Sequence, residues 1–204
     1  MPVKGEDGHS RPSRTQAERS ATTRAALLAA GRHLFAERGF AGAGREEIAE
    51  RAGVTRGALY HHFATKQDLF VAVVEDLEAE LGQRLVAAAS AGSDPLEELR
   101  LGCQAFLDAA LDPAVRRIVL LDAPAVLGWQ AWRELDERFG LGLIKMVLDA
   151  VMAAGLIEAQ PVDPLAHMLL AALNEAAMLV ALAEDPGAAR ALVGASVDRL
   201  LARL

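Results

Sequence analysis

The 204-residue chain is 52% hydrophobic but only 4% aromatic, with a formal net charge of -7. That length buries a sizeable core, and dominance by alanine and leucine with no period-two runs of β-branched residues excludes a sheet protein. The overall acidity argues against a nucleic-acid binder until it is divided: residues 1–66 carry 11 Lys and Arg against 7 Asp and Glu, and residues 67–204 carry 10 against 21. A basic head on an acidic body directs phosphate binding to the head.

In chain order, residues 1–20 read as a disordered, solvated tail, rich in Pro, Gly, Ser and Arg. Arg11, Arg14 and Arg19 are its candidate minor-groove contacts. A first helix is expected from about Ala21 to Arg38, stopped by Gly39, with Gly31 inside it as a point of close helix approach. Glu46 to Ala52 gives a short second helix ending on Gly53, which supplies the left-handed residue. Val54 to Phe63 gives a third, and together they form a helix-turn-helix whose second member enters a DNA major groove. Ile48, Ala49, Val54 and Leu59 face inward. Thr55, Arg56, Tyr60 and His61 face outward, a set rich in donors for phosphates and base edges.

Thr65 caps a long fourth helix, with Asp68 completing a capping box. Its apolar positions Leu69, Phe70, Val73, Val74, Leu77, Leu81 and Leu85 recur at helical spacing, so it connects head to body. Ala89 to Ser93 is a break. Asp94-Pro95 opens a helix to about Leu111, and Asp112-Pro113 opens one bent or ended near Pro124. A long helix covers about Gln130 to Ala154 and stops at Gly155. Asp163-Pro164 opens a helix to about Glu184, and Pro186-Gly187 precedes a last one to Leu204. The fold class is all-α: a three-helix DNA-binding head (21–66) and a six-helix body (67–204).

The helix from Asp163 to Glu184 is apolar all round, hence buried on both faces. Projected at about 100° per residue, Leu165, Leu169, Ala172 and Ala176 fall on one side, which suits a contact across a two-fold axis together with Leu192, Ala195 and Leu200. His167, Ala171, Asn174 and Met178 fall on the other, facing the body. His167 and Asn174 either bind something or satisfy buried backbone. As a candidate ligand pocket they are joined by apolar walls from Cys103, Phe106, Leu107, Trp129, Trp132, Phe139 and Met146.

Other chemistry is screened out. His61 and His62 are helix neighbours and cannot share a metal as an i, i+4 pair does. No phosphate-binding glycine loop follows a strand, and Glu46-Glu47 and Glu97-Glu98 are neighbours that point apart. No enzyme, metal or cofactor is expected. The single Cys103 suits a reducing cytoplasm, no signal pattern is apparent, and the stretch Ile118 to Trp132, broken by Asp122 and Pro124, falls short of the ~18 apolar residues of a membrane span.

Residues 24–70 resemble the DNA-binding domain of TetR-family transcriptional regulators, through Leu34-Phe35-Ala36-Glu37-Arg38-Gly39-Phe40, Ile48-Ala49-Glu50-Arg51-Ala52-Gly53-Val54, Gly57-Ala58-Leu59-Tyr60-His61-His62-Phe63 and Lys66-Gln67-Asp68-Leu69-Phe70. Where the family carries a hydroxyl pair, this chain has Ala43 and Gly44, which removes a phosphate contact that Arg45 replaces. The resemblance implies a homodimer formed by the last two helices, binding a palindromic double-stranded DNA operator. It assigns DNA contacts to Thr55, Arg56, Tyr60, His61 and Lys66, with Gly57 permitting close backbone approach. It implies a small-molecule effector held in the body, apolar or amphipathic, that releases a repressor. Activation instead of repression, and regulation without a small molecule, remain alternatives; a helical enzyme or scaffold with a vestigial helix-turn-helix is the remote one.

Overall fold

The computed structural model describes residues 15–204, and all regular structure among them is helical. Helix α1 is Gln16–Gly42, α2 Arg45–Arg51, α3 Arg56–His62, α4 Lys66–Ala89 and α5 Pro95–Ala109. A π-helical stretch, Val115–Asp122, runs straight into Ala123–Leu127 to form α6. Three segments make α7: Trp129–Asp136, a π-helical turn Glu137–Leu141, and Gly142–Ala153. Helices α8 (Val162–Leu182) and α9 (Pro186–Leu201) complete the described chain.

Caps placed these helices, and one corrects the expected tail. Thr15 Oγ1 accepts from Glu18 N–H while the Glu18 carboxylate accepts from Thr15 N–H, a reciprocal capping box. Residues 16–20 are therefore helical and Arg19 rides on α1; Arg11 and Arg14 lie outside the described residues. The same device starts α4 at Thr65 and Asp68, and Asp94 and Asp185 cap α5 and α9 ahead of Pro95 and Pro186. Asp163 does not cap α8. Pro161 stands at that position, and the Asp163 carboxylate lies within the first turn, 2.6 Å from Lys145 Nζ. Nor does Pro124 end its helix: α6 passes through it and stops at Gly128, whose φ is +79°. The wide π-helical turn precedes the proline, where its missing N–H and ring would disrupt regular α pairing.

Two apolar cores result. The first joins Leu27, Leu34 and Phe35 of α1, Ile48 and Leu59 of the helix-turn-helix, Phe70 and Leu77 of α4, and Ile118 and Leu135 from the body. Core packing thus runs across the expected boundary at residue 66. Phe35, Phe40 and Phe70 pack edge to face or stacked within it, with centroids 5.0–6.1 Å apart. Gly31 is a close approach as expected: a Cβ there meets Val73 Cγ2 at 3.3 Å. The second core gathers α5, α7, α8 and α9 around Leu107, Leu148, Leu173 and Val180.

Helix α8 is the one described helix whose length and hydropathy match a membrane span, and half of its most apolar window is buried against the rest of the chain. Its exposed face is not the expected one. Leu165, Leu169 and Ala176 are buried in their own protomer, at 7%, 4% and 7% exposure, and only Ala172 of that set faces outward. Met168, Leu179 and Leu182 are exposed instead, beside Leu192, Ala195 and Leu200 of α9, which are exposed as anticipated. A helix apolar on every side leaves its rotation to its neighbours.

Candidate nucleic-acid interface and effector cavity

The head presents α3 to solvent. Thr55 caps it, accepting from Ala58 N–H at 3.2 Å. Gly53, at φ +67°, makes the turn from α2, and Leu59 anchors the inner face at 1% exposure. Arg56, Gly57, Tyr60 and His61 all lie on the open side. The Arg56 side chain is 72% exposed, with Glu46 3.8 Å away as a loose partner. Open space surrounds Gly57 apart from Thr55 Oγ1 at 3.9 Å, which permits close backbone approach. His62 is tucked toward α1, where burial, then the neighbouring His61 and Arg24 charges, hold its pKa below the ordinary imidazole value.

Two expected phosphate ligands are engaged elsewhere. Lys66 Nζ donates to the carbonyls of Phe40 at 2.8 Å and Ala43 at 3.2 Å, over the Phe40 ring. It closes the C-terminal end of α1, whose last carbonyls lack helical partners. Arg45 donates to the Ala64 and Phe63 carbonyls at 2.9 and 2.7 Å, with its guanidinium 4.0 Å from the Tyr60 ring centroid. It staples α2 to the turn after α3 and orients Tyr60. Both side chains are half-buried, so their charge lies behind the open face of α3.

A second set of contacts at the head was absent from the sequence reading. Gly39 breaks α1 at φ +71°, ψ 173°, and the freed Phe40 N–H donates to Asp122 Oδ2 of α6 at 2.6 Å. Arg117 lies 3.3 Å from Asp122 and occupies the space that a Cβ at Gly39 would need. Thus α6 grips the head at the one break in α1.

In the body, α4, α5, α7 and α8 surround a cavity of about 280 Å³. Cys103, Phe106, Phe139 and Met146 line it as expected, with Leu81, Leu85, Leu99 and Leu143 among the further apolar walls. The other expected lining residues do not. Leu107 points into the second core, Trp132 into the first, and Trp129 is 69% exposed, its ring 5.0 Å from Trp132. Met178 packs in the second core. His167 is half-exposed outside the cavity, Nδ1 3.6 Å from Glu137. Asn174 is buried, but its Nδ2 donates at 2.8 Å to Asp136 Oδ2, and it is Asp136 that reaches the cavity.

Asp136 and Glu78, buried at 8% and 9% exposure, are the buried acids missed, and the half-buried Glu98 joins them in the lining. The signal of the two buried acids was present: each sits on the apolar stripe of its helix, Glu78 between Leu77 and Leu81. Burial, with the nearby Asp136, pushes the Glu78 carboxyl up to about 8. Burial also raises Asp136, opposed in part by the Asn174 amide. The Cys103 thiol is pushed up to about 12, mainly by burial. Among the described residues, no group of three His, Cys, Asp or Glu side chains is placed to hold a metal ion.

Residues 27–73 match the family model described as bacterial regulatory proteins, tetR family, and residues 96–204 match the one described as tetracyclin repressor-like, C-terminal domain. Among solved structures the chain is similar to a TetR-family transcriptional regulator from Pectobacterium atrosepticum, with TM-score 0.82 and 38% identity over 92% of this chain and 96% of that one. The fold is shared with FadR from Bacillus subtilis, solved with stearoyl-CoA, at TM-score 0.72 and 20% identity, covering 87% and 97%. Among curated relatives, the HTH-type transcriptional regulator TtgR of Pseudomonas putida is 39% identical over 50% of this chain and 49% of its own. The HTH-type transcriptional activator FasR of Mycolicibacterium smegmatis is 38% identical over 42% and 39%. The matched segments span about half or less of these curated relatives.

Proposed function

Because the chain belongs to the TetR family of bacterial regulatory proteins, we propose that it is a dimeric DNA-binding repressor whose operator affinity is set by a small molecule in the body cavity. The observation that carries this reading is the open face of α3, with Arg56, Tyr60 and His61 free on a basic head that α4 and α6 tie to a hollow, acidic body.

Two heads, held by pairing of the exposed α8 and α9 faces, read a palindrome in successive major grooves roughly 34 Å or more apart. Arg56 and His61 reach base edges or phosphates. Tyr60, held flat by Arg45, offers its hydroxyl to a phosphate. Helix α4, about 36 Å long at 1.5 Å per residue, has Lys66 at the head and Glu78 to Ala89 along the cavity. A ligand that wedges α4 from α5 and α7 therefore moves the end of α4 that Lys66 locks to α1, while α6 resists through Asp122. The ligand shifts operator affinity only by its preference between the two head spacings; about 3 kcal/mol of preference lowers it more than a hundredfold. Cytoplasmic placement accompanies this role.

The test is anisotropy with operator DNA selected from genomic fragments, at two salt concentrations. Arg56→Ala is expected to weaken binding at least tenfold and reduce its salt dependence, since each lost phosphate contact lowers the slope by about one. Tyr60→Phe, which keeps the Arg45 stack, is expected to cost about 1 kcal/mol. Unchanged affinity in both variants would remove α3 from the DNA interface.

A further inference from the structure

The charge of the cavity restricts its occupant more than its shape does. Three acids line it, Glu78, Glu98 and Asp136, with no Lys, Arg or His among the lining residues. Glu78 is nine-tenths buried and aimed into the space. Among the described residues no hydrogen bond or cation meets its carboxylate; the one charge acting on it is Asp136, of the same sign. Asp136 has Asn174 on one oxygen. Arg133 acts on Asp136 but is held by Glu137 at 2.9 Å, and the two charges oppose one another there. Glu98 is half-buried on the α5 wall.

An isolated buried carboxylate is costly unless something positive reaches it or it takes a proton. Nothing packed against the α4 stripe supplies a counter-charge to Glu78, which leaves that place open to a bound group. We infer that the cavity takes a lipophilic organic cation, an amine or quaternary ammonium on an aliphatic or aromatic body, with its charged centre between Glu78 and Asp136. Phe106 and Phe139, in the same lining, add aromatic walls suited to a cation. Fatty acids and other anions meet only acids. The inference rests on the reading of this cavity as a ligand site.

Calorimetry on the full chain with three octyl probes tests it: octyltrimethylammonium, octanesulfonate and 1-octanol, identical in tail and different in charge. The cation is expected to bind once per protomer and the sulfonate at least tenfold more weakly. Because the cation displaces the Glu78 proton, its affinity rises about tenfold from pH 7 to 9, with proton release read from the buffer dependence of the heat. Glu78→Gln is expected to weaken the cation at least tenfold and flatten its pH dependence while 1-octanol still binds, which shows the cavity intact. The inference is overturned if 1-octanol or the sulfonate equals the cation, if no probe binds, or if cation affinity is flat with pH and unaltered in Glu78→Gln. Operator release is measured alongside. Cation binding as expected with unchanged operator affinity refutes the effector role and leaves the charge reading standing; release by 1-octanol or the sulfonate alone does the reverse.

Discussion

Glu78→Gln should make the protein more stable, and increasingly so toward alkaline pH. The folded chain holds the Glu78 proton up to about 8, against 4.5 for an unperturbed carboxyl. A group whose folded pKa is raised contributes its full stability below the unfolded value and loses it as pH rises through the folded one. Each pH unit in that interval is worth about 1.4 kcal/mol, so roughly 3 to 4 kcal/mol disappears between pH 5 and pH 8. Asp136, also raised by burial, acts in the same direction. Such a loss is a large part of the ~5–15 kcal/mol that holds a domain folded. Glutamine keeps the shape and has no charge to bury. Urea unfolding of both proteins at pH 5, 6.5, 8 and 9 reads the difference, which cancels the titration of surface groups common to both. The gap should be small at pH 5, widen by roughly 3 kcal/mol by pH 8 and level off above pH 9. Parallel stability curves would refute the claim that Glu78 is an unpartnered buried acid.

Other substitutions separate support from contact. Lys66→Ala should lower stability by about 2 kcal/mol, since charge-assisted hydrogen bonds to the Phe40 and Ala43 carbonyls are lost; full stability with weakened DNA binding would instead make Lys66 a phosphate ligand. Leu179→Asp with Leu192→Asp should give a folded monomer by light scattering and lose operator binding, because both side chains are more than half exposed in one protomer; a persistent dimer would place the interface elsewhere. Cys103, 3% exposed with its thiol pushed up to about 12, should resist iodoacetamide at pH 8 while folded and react fully in urea. Alkylation at the rate of a free thiol would show Cys103 reachable from solvent through the cavity.

Local chemistry made much of this protein legible. The capping box at Thr65 and the Asp94-Pro95 start fix where α4 and α5 begin because a cap acts within one turn of its own helix, whereas Asp163-Pro164 carries the same signal and does not cap α8. The short helices around Gly53, with Leu59 inward and Arg56 and Tyr60 outward, follow from spacing alone. Rotation of α8 did not. Every side of it is apolar, so only packing against α5, α7 and α9 buries Leu165 and Leu169 and exposes Met168 and Leu179. The roles of Lys66 and Arg45 were equally out of reach, since the carbonyls that take their protons belong to turns brought near by folding. Glu78 and Asp136 stood as single acids on apolar stripes of two distant helices, and the fold turned them into a pair. Sequence determines what depends on neighbours along the chain: helix ends, the helix-turn-helix and the charge of the head. Tertiary structure decides which face is buried, which cation is already occupied and which acids share a cavity, because those depend on groups far apart in sequence and a few ångströms apart in space.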